Sequence, residues 1–375
     1  MTSWTGLTWD HPRGYRALRA ATRHPAAPAC DIRWDIQPLE GFESAPIAET
    51  ARRYDLVVLD HPHIGEAIET GALQPLDALF TAAELAAWRA ASVGLSARSY
   101  EMAGHLWALP LDAATQVSVR CDAGIPVPRT WAEAVELAGE IPAALPTAGP
   151  HLFLTLCGIA VGDGATPGDG DTFLTEAEYG AAIDILRHFV SDRPVDGNDN
   201  PIALLERMSG GDGPDYCPHI YGYVNYACRP RPLWFADAPS GTAGRHGSVL
   251  GGTGIAVSTR CVPDPTLLDH LRWLMTTDTQ RRFVVAEEGQ PALTGAWDDD
   301  AVNAGSHDFY RTTRATIDDA WVRPRHAGAI AFQNAGAAAV RACLFDHRDI
   351  SRLTREVNES YERSLAPATT SRTAS

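Results

Sequence analysis

The 375 residues are 45% hydrophobic and 21% charged, an ordinary globular composition in a chain too long for one small core, so two lobes are expected. With 31 basic and 47 acidic residues the net charge is −16, and no Lys/Arg stripe interrupts it, which excludes nucleic acid and anionic lipid as partners. No apolar run approaches the roughly 18 residues that a membrane-spanning helix needs.

Met1 to Asp10 reads MTSWTGLTWD, with neither the basic start nor the apolar stretch of a secretory signal. The seven cysteines, Cys30, Cys121, Cys157, Cys217, Cys228, Cys261 and Cys343, are scattered and odd in number. Reduced, mostly buried thiols in a cytoplasmic protein are the expectation.

In chain order, Trp4–Trp9 reads as a short strand and Gly14–His24 as a helix. The alternation of Ile32, Trp34 and Ile36 marks a half-buried strand. Ala45–Arg53 reads as a helix. Tyr54–Leu59 is a near-continuous apolar run, the mark of a central parallel strand. A helix from Ile64 to Thr70 stops at Gly71. This rhythm predicts a parallel sheet with helices on its faces. Leu109–Asp112 ends a segment shaped like a strand crossing between lobes. Thr130–Glu133 and Thr175–Glu178 read as capping boxes. Residues 162–170 and 209–214 are loops by composition. Two helices are expected over 266–277 and 278–288, and a helical end over 332–364. The last ten residues, 366–375, have the composition of a disordered tail.

Open α/β sheets bind ligands at the carboxyl ends of their strands. Trp9-Asp10-His11 follows the first strand, and Asp60-His61-Pro62-His63 follows the apolar one. Sugar recognition needs aromatic faces for C–H surfaces and paired polar groups for hydroxyls. Tyr221, Tyr223 and Asn225, at a spacing of two, would share one face of a strand. Gly251 and Gly252 would let a ligand approach backbone closely. Trp297 and Arg323 are further candidates. Each has an ordinary structural reading as well: the tryptophans as core, Asp10 and Asp60 as helix N-caps, the tyrosines as sheet packing.

Taken together, YDLVVLDHPHIGEAIETGALQPLD (54–77), HLWALPLDAATQVSVRCD (105–122), PVPRTWAEAVELA (126–138), IYGYVNYA (220–227), SVLGGTGIAVST (248–259), TTDTQRRFVVAEEGQPALTGAW (276–297) and RPRHAGAIAFQ (323–333) resemble family 1 extracellular solute-binding proteins of carbohydrate ABC importers. The resemblance implies an α/β, two-lobed periplasmic-binding-protein-like fold with a hinge and an interlobe cleft. It implies a first lobe of 1–110 plus 255–305 and a second of 111–254 plus 306–365. It implies a small polar ligand, a carbohydrate first, clamped between the lobes by a monomer with no cofactor, for ABC-type uptake with a permease partner or as a cytoplasmic relative. The positions that line the family's cleft carry Trp9, Asp10, His11, Asp60, His61, Asp112, Gln116, Tyr221, Tyr223 and Asn225 here.

Two readings from other classes stay open. A closed cleft excludes water, so Asp10, His11 and Asp112 could act as acid/base groups of a cytoplasmic enzyme on the same fold. The chain has no G-x-S-x-G, P-loop or G-x-G-x-x-G motif to support one. A metal site is the third reading: His61 and His63 in an extended segment would share a face, with Asp60 adjacent and His11 opposite.

Overall fold

The computed structural model describes residues 3–170, 172–190 and 199–366. The expected tail therefore lies outside the described residues except at Ala366.

Strand β1 (Ser3–Trp9) pairs in parallel with β2 (Asp31–Gln37) and with β3 (Leu56–Leu59). Helix α1 (Pro12–Ala21) makes the first crossover, with Pro12 at its first turn, where a missing N–H costs nothing. Strand β3 is LVVL, buried at every position, as a strand covered on both faces must be. Between β2 and β3 stand two short helices, α2 (Leu39–Ser44) and α3 (Ile47–Arg53), where the sequence suggested one. Pro46 separates them, since the residue before a proline is pushed out of the helical region. Helix α4 (Ile64–Glu69) follows β3, and α5 (Ala82–Ala91) opens on a complete capping box at Thr81. The strands β4 (Glu101–Met102) and β5 (His105–Leu106) form a small separate hairpin.

Two long strands join this sheet to the rest of the molecule. Strand β6 (Leu109–Arg120) pairs antiparallel through residues 109–115 with β9 (Leu250–Val257), which also pairs antiparallel with β3. Through residues 116–120, β6 pairs instead with β7 (Tyr216–Tyr221) and β8 (Trp234–Ala236). The chain thus passes from one sheet to the other along β6, as the Leu109–Asp112 segment suggested. The register slips between Pro110 and Asp112, opposite Gly254 and Thr253. Gly252, at φ +96, lies beside this bulge; a Cβ there would sit 2.4 Å from the Asp112 carbonyl oxygen, so only glycine fits.

Helices α6 (Trp131–Ala138), α7 (His151–Gly162), α8 (Glu176–Leu186) and α9 (Pro201–Gly210) follow, α8 packing on α7. Helix α7 is buried along its whole length. The box at Thr175 is complete. At Thr130 only half forms: its hydroxyl accepts from Glu133 N, while the Glu133 carboxylate accepts from Arg129 N. Tyr221 ends β7, and the chain turns at Gly222 into α10 (Val224–Ala227), so Tyr221, Tyr223 and Asn225 do not share a strand face as the alternation suggested. Helix α11 (Pro265–Leu274) is followed by the expected second helical segment, over 277–286, which is π-helical at Thr279–Val284. The helical end is two helices, Ala329–Phe345 and Ile350–Leu365, broken at His347, whose φ is +53. Among the described residues no helix is long and apolar enough to cross a membrane. All seven cysteines are free.

Candidate functional site

The carboxyl ends of β1, β2 and β3 face the β6–β7 side of the second sheet across a narrow cleft. Trp9 ends β1, Arg13 stands in the first turn of α1, and Phe42 and Glu43 come from α2, just after β2. Asp60 follows β3. Opposite them stand Tyr221 at the end of β7, Tyr223, and the β9 segment 251–253. Gly251 is what admits Tyr221: a Cβ there would lie 2.5 Å from the tyrosine ring. The cavity left between these groups is about 50 Å³, room for roughly three to five waters at ~10–15 Å³ each.

The rings pack against one another. Trp9 lies 5.9 Å from both Phe42 and Tyr223, centroid to centroid. The indole nitrogen of Trp9 is turned onto Gly14, whose Cβ would meet it at 2.4 Å, and it has no hydrogen-bond partner.

Two buried ion pairs flank the rings. Arg13 donates from Nε to Asp112 Oδ2 at 2.6 Å, from Nη2 to Oδ1, and from Nη1 to the Gly222 carbonyl at 3.0 Å. Its guanidinium also lies 4.5 Å from the Tyr223 ring centroid, a cation–π contact. Burial opposes charge on Arg13, and the Asp112 carboxylate outweighs it, so the guanidinium keeps its proton. Arg323 donates to Asp60 and, at 3.0 Å, to Gln333 Oε1. Burial opposes ionisation of Asp60 as well, yet Arg323 and His61 hold its carboxyl well below the usual carboxylate range.

Among the described residues Glu43 has no arginine or lysine within ion-pair distance. Its nearest basic neighbour, His151 Nε2, is 3.6 Å away. Burial lowers the His151 imidazole to about 3, so it is neutral. Burial, with Asp60 adding and Arg323 opposing, pushes the Glu43 carboxyl up to about 8. Of the residues lining the cavity, Tyr221 has a hydroxyl and Trp9 an indole nitrogen with no hydrogen-bond partner among the described residues; behind them the His151 nitrogens and Arg323 Nε have none either. Buried polar groups are normally satisfied, so such a cluster marks a place where something else belongs.

The structure brings Trp9, Asp60, Tyr221, Tyr223, Gly251 and Gly252 to this cavity. Arg323 and Asp112 stand behind it, each paired to a residue that lines it. The other sequence candidates lie elsewhere. Asp10 is exposed. His11 caps α1 by accepting from Arg13 N, stacks on Trp9 at 5.2 Å, and burial lowers it to about 3. His61 is fully buried, its Nδ1 3.1 Å from Asp60 Oδ1 and its Nε2 without a partner among the described residues. Gln116 donates to Thr155 Oγ1 on α7. Trp297 is core, donating to the Pro291 carbonyl. Asn225 donates to the Glu288 carbonyl and lines a second, larger pocket of about 620 Å³ with His11, Cys228 and Arg229.

These placements overturn the acid/base constellation: Asp10 faces solvent, His11 is a neutral cap, and Asp112 is locked to Arg13. The metal reading fails on geometry too. His61–His63 is a 3₁₀ turn rather than an extended segment, and among the described residues no three His, Cys, Asp or Glu side chains converge.

Sequence reasoning missed Arg13, Phe42, Glu43 and His151. The signal for Phe42 and Glu43 was present, since they follow the half-buried β2 strand and the carboxyl-end rule applies there as well.

The resemblance read from the sequence is borne out. Residues 29–204 match the family model of bacterial extracellular solute-binding proteins. The chain superimposes on a maltose-bound MalE3 of T. maritima at TM-score 0.77 and 14% identity, covering 96% of this chain and 99% of that one. A ribitol complex of an ABC transporter solute-binding protein from Agrobacterium radiobacter K84 gives 0.78 and 18%, covering 97% and 98%. The GacH receptor of Streptomyces glaucescens, solved free and with acarbose, gives 0.77 and 17%, covering 97% and 99%. No curated protein matches the chain. The fold is therefore the two-lobed periplasmic-binding-protein fold with its interlobe cleft.

Proposed function

We propose that this chain is a solute-binding protein that clamps a small polar ligand, a carbohydrate or polyol, between its two lobes for ABC-type uptake. The observation that carries the reading is the cleft itself: ring faces from Trp9, Phe42, Tyr221 and Tyr223, with the unpartnered Tyr221 hydroxyl and the Glu43 and Asp60 carboxyls among them. Rings cover the C–H faces of a sugar, and the free donors and acceptors take its hydroxyls. Maltose and ribitol, held by two of the structural relatives, define the ligand class to try first.

The lobes we assign are 1–110 plus 255–305 and 111–254 plus 306–365, with β6 and β9 as the connection. The cavity of about 50 Å³ is too small for a pyranose, so the lobes part to admit ligand by rotation about a few residues at the ends of these strands. The bulge at Pro110–Asp112 and Gly252 is the natural pivot. We assign an ABC permease as the partner of the closed form, and a monomer as the working unit. The matching family is described as extracellular. Seven free cysteines suit a reducing compartment instead, and cell fractionation decides between the two.

Calorimetric titration with mono- and disaccharides and linear polyols tests the reading, repeated on Tyr221→Phe. Loss of one hydroxyl partner lowers affinity several-fold, since a hydrogen bond is worth roughly 1 kcal/mol. Saturable binding to none of the panel sinks the proposal.

A further inference from the structure

The two arginines at the cleft are already paired, and one carboxyl group is not. Arg13 is taken by Asp112, and Arg323 by Asp60. Glu43 is left over: its side chain is 23% exposed, it lines the cavity, and its closest basic neighbour is a buried histidine. Around the same small cavity stand Trp9, Phe42 and Tyr223, with Trp9 at 5.9 Å from each of the other two. The Arg13 guanidinium already lies over Tyr223, at 4.5 Å, and Trp9, at 5.7 Å, which leaves Phe42 as the ring beside Glu43 with no cation against it. A carboxyl group with no basic partner but a neutral histidine, beside such a ring, can receive an ammonium group: the ring face attracts a cation, and the carboxyl, on giving up its proton, supplies the opposite charge.

We propose that the ligand of this cleft carries a protonated amine, which sits against Glu43 and the Phe42 ring. The proposal deepens the carbohydrate-binding reading and rests on it: the ligand is an amino sugar or an amino polyol rather than a neutral one. The groups that face Glu43 support a proton-linked form of recognition. They are Asp60 and Glu40, which disfavour its ionisation, Arg323, which favours it, and the neutral His151. With its carboxyl raised by burial to about 8, Glu43 holds its proton in the empty cleft at neutral pH. An arriving ammonium replaces that proton, which leaves to solvent.

The test uses the full chain with two probes of one carbon skeleton, D-glucitol and N-methyl-D-glucamine, by calorimetry at pH 7 in two buffers of different ionisation heat. The amine is expected to bind roughly tenfold more tightly, as charge-assisted hydrogen bonds are about twice as strong as neutral ones. It should release close to one proton, and D-glucitol none. In Glu43→Gln the preference and the proton release both disappear. Phe42→Leu, which keeps the charge, reduces the preference and retains the release. Proton release is read on the native protein and needs no variant. Binding of D-glucitol as tight as that of the amine, or an amine preference that survives Glu43→Gln, overturns the proposal and leaves the polyol reading standing. Binding of neither probe, nor of any sugar in the wider panel, removes both.

Discussion

Arg323 and Asp60, 263 residues apart in sequence, form a buried ion pair behind the cleft. The pair fixes the segment before the helix Ala329–Phe345 against the loop that follows β3, so it ties together parts of the chain that no local interaction holds. Replacing one partner of a buried pair leaves the other charge uncompensated. Asp60→Ala is expected to cost on the order of 3–5 kcal/mol in denaturant unfolding. A cost near that of an exposed pair, below ~1 kcal/mol, would show that the pair is solvated.

The buried ionisable groups give stability a defined pH dependence. Burial lowers His61 and His219 from 6.5 to about 4, and His11 and His151 to about 3. The unfolded chain therefore binds more protons than the native one below about pH 6.5, and stability falls as pH drops through that range. Glu43 acts in the opposite sense. Its native carboxyl titrates at about 8 against 4.5 for an unperturbed one, so stability falls as pH rises through that window. Where the two windows overlap, four histidines outweigh one carboxyl. Melting temperature is expected to climb to about pH 7, where the two opposing proton differences balance, and then decline gently to about pH 8. Glu43→Gln should abolish the decline and keep the climb; a decline that persists in the variant contradicts the assignment.

Asp10 and Tyr223 separate surface from site. Asp10 is exposed and away from the cavity, so Asp10→Ala should stay within about 0.5 kcal/mol of the native protein and leave ligand affinity unchanged. Tyr223 is 5% exposed and packs on Trp9, His11 and Arg13. Tyr223→Ala should lose about 3–5 kcal/mol in stability, the range for large aromatics, and bind ligand weakly per folded molecule. Normal binding by folded Tyr223→Ala would place the ligand elsewhere.

The fold was more legible than the site. β3 announces itself by an unbroken apolar run, β2 by alternation, and both set the first sheet before any tertiary contact is known. What sequence could not give is the partner of each polar residue. Asp112 reads as a free carboxylate until Arg13 is found 99 residues earlier. His11 and His61 follow strand ends where ligands gather, yet one is turned into a cap and the other into the protein interior. Alternation over Tyr221, Tyr223 and Asn225 looked like one strand face, but Gly222 ends the strand, so both tyrosines reach the cavity by different routes and Asn225 does not. Glu43 was missed because α2 is short and carries no periodic signal; its role follows only from the charges that surround it.

Gly252 tests the connection between the sheets. Its positive φ alone costs another residue on the order of 1–3 kcal/mol, and the added methyl of Gly252→Ala would also meet the Asp112 carbonyl. A destabilisation of at least that size is expected, seen as a lower denaturant midpoint at unchanged m-value. Native-like stability would mean that the β6–β9 bulge rearranges freely.

The claim that ligand is held between the lobes is tested most directly by hydrogen–deuterium exchange of the native protein with and without a saturating ligand. Protection is expected together in 39–43 on the first lobe, in 221–223 on the second, and in 251–253 on the connecting strand, with little change in 224–229 and 285–289 around the larger pocket. Protection confined to one lobe, or centred on the larger pocket, would contradict the account.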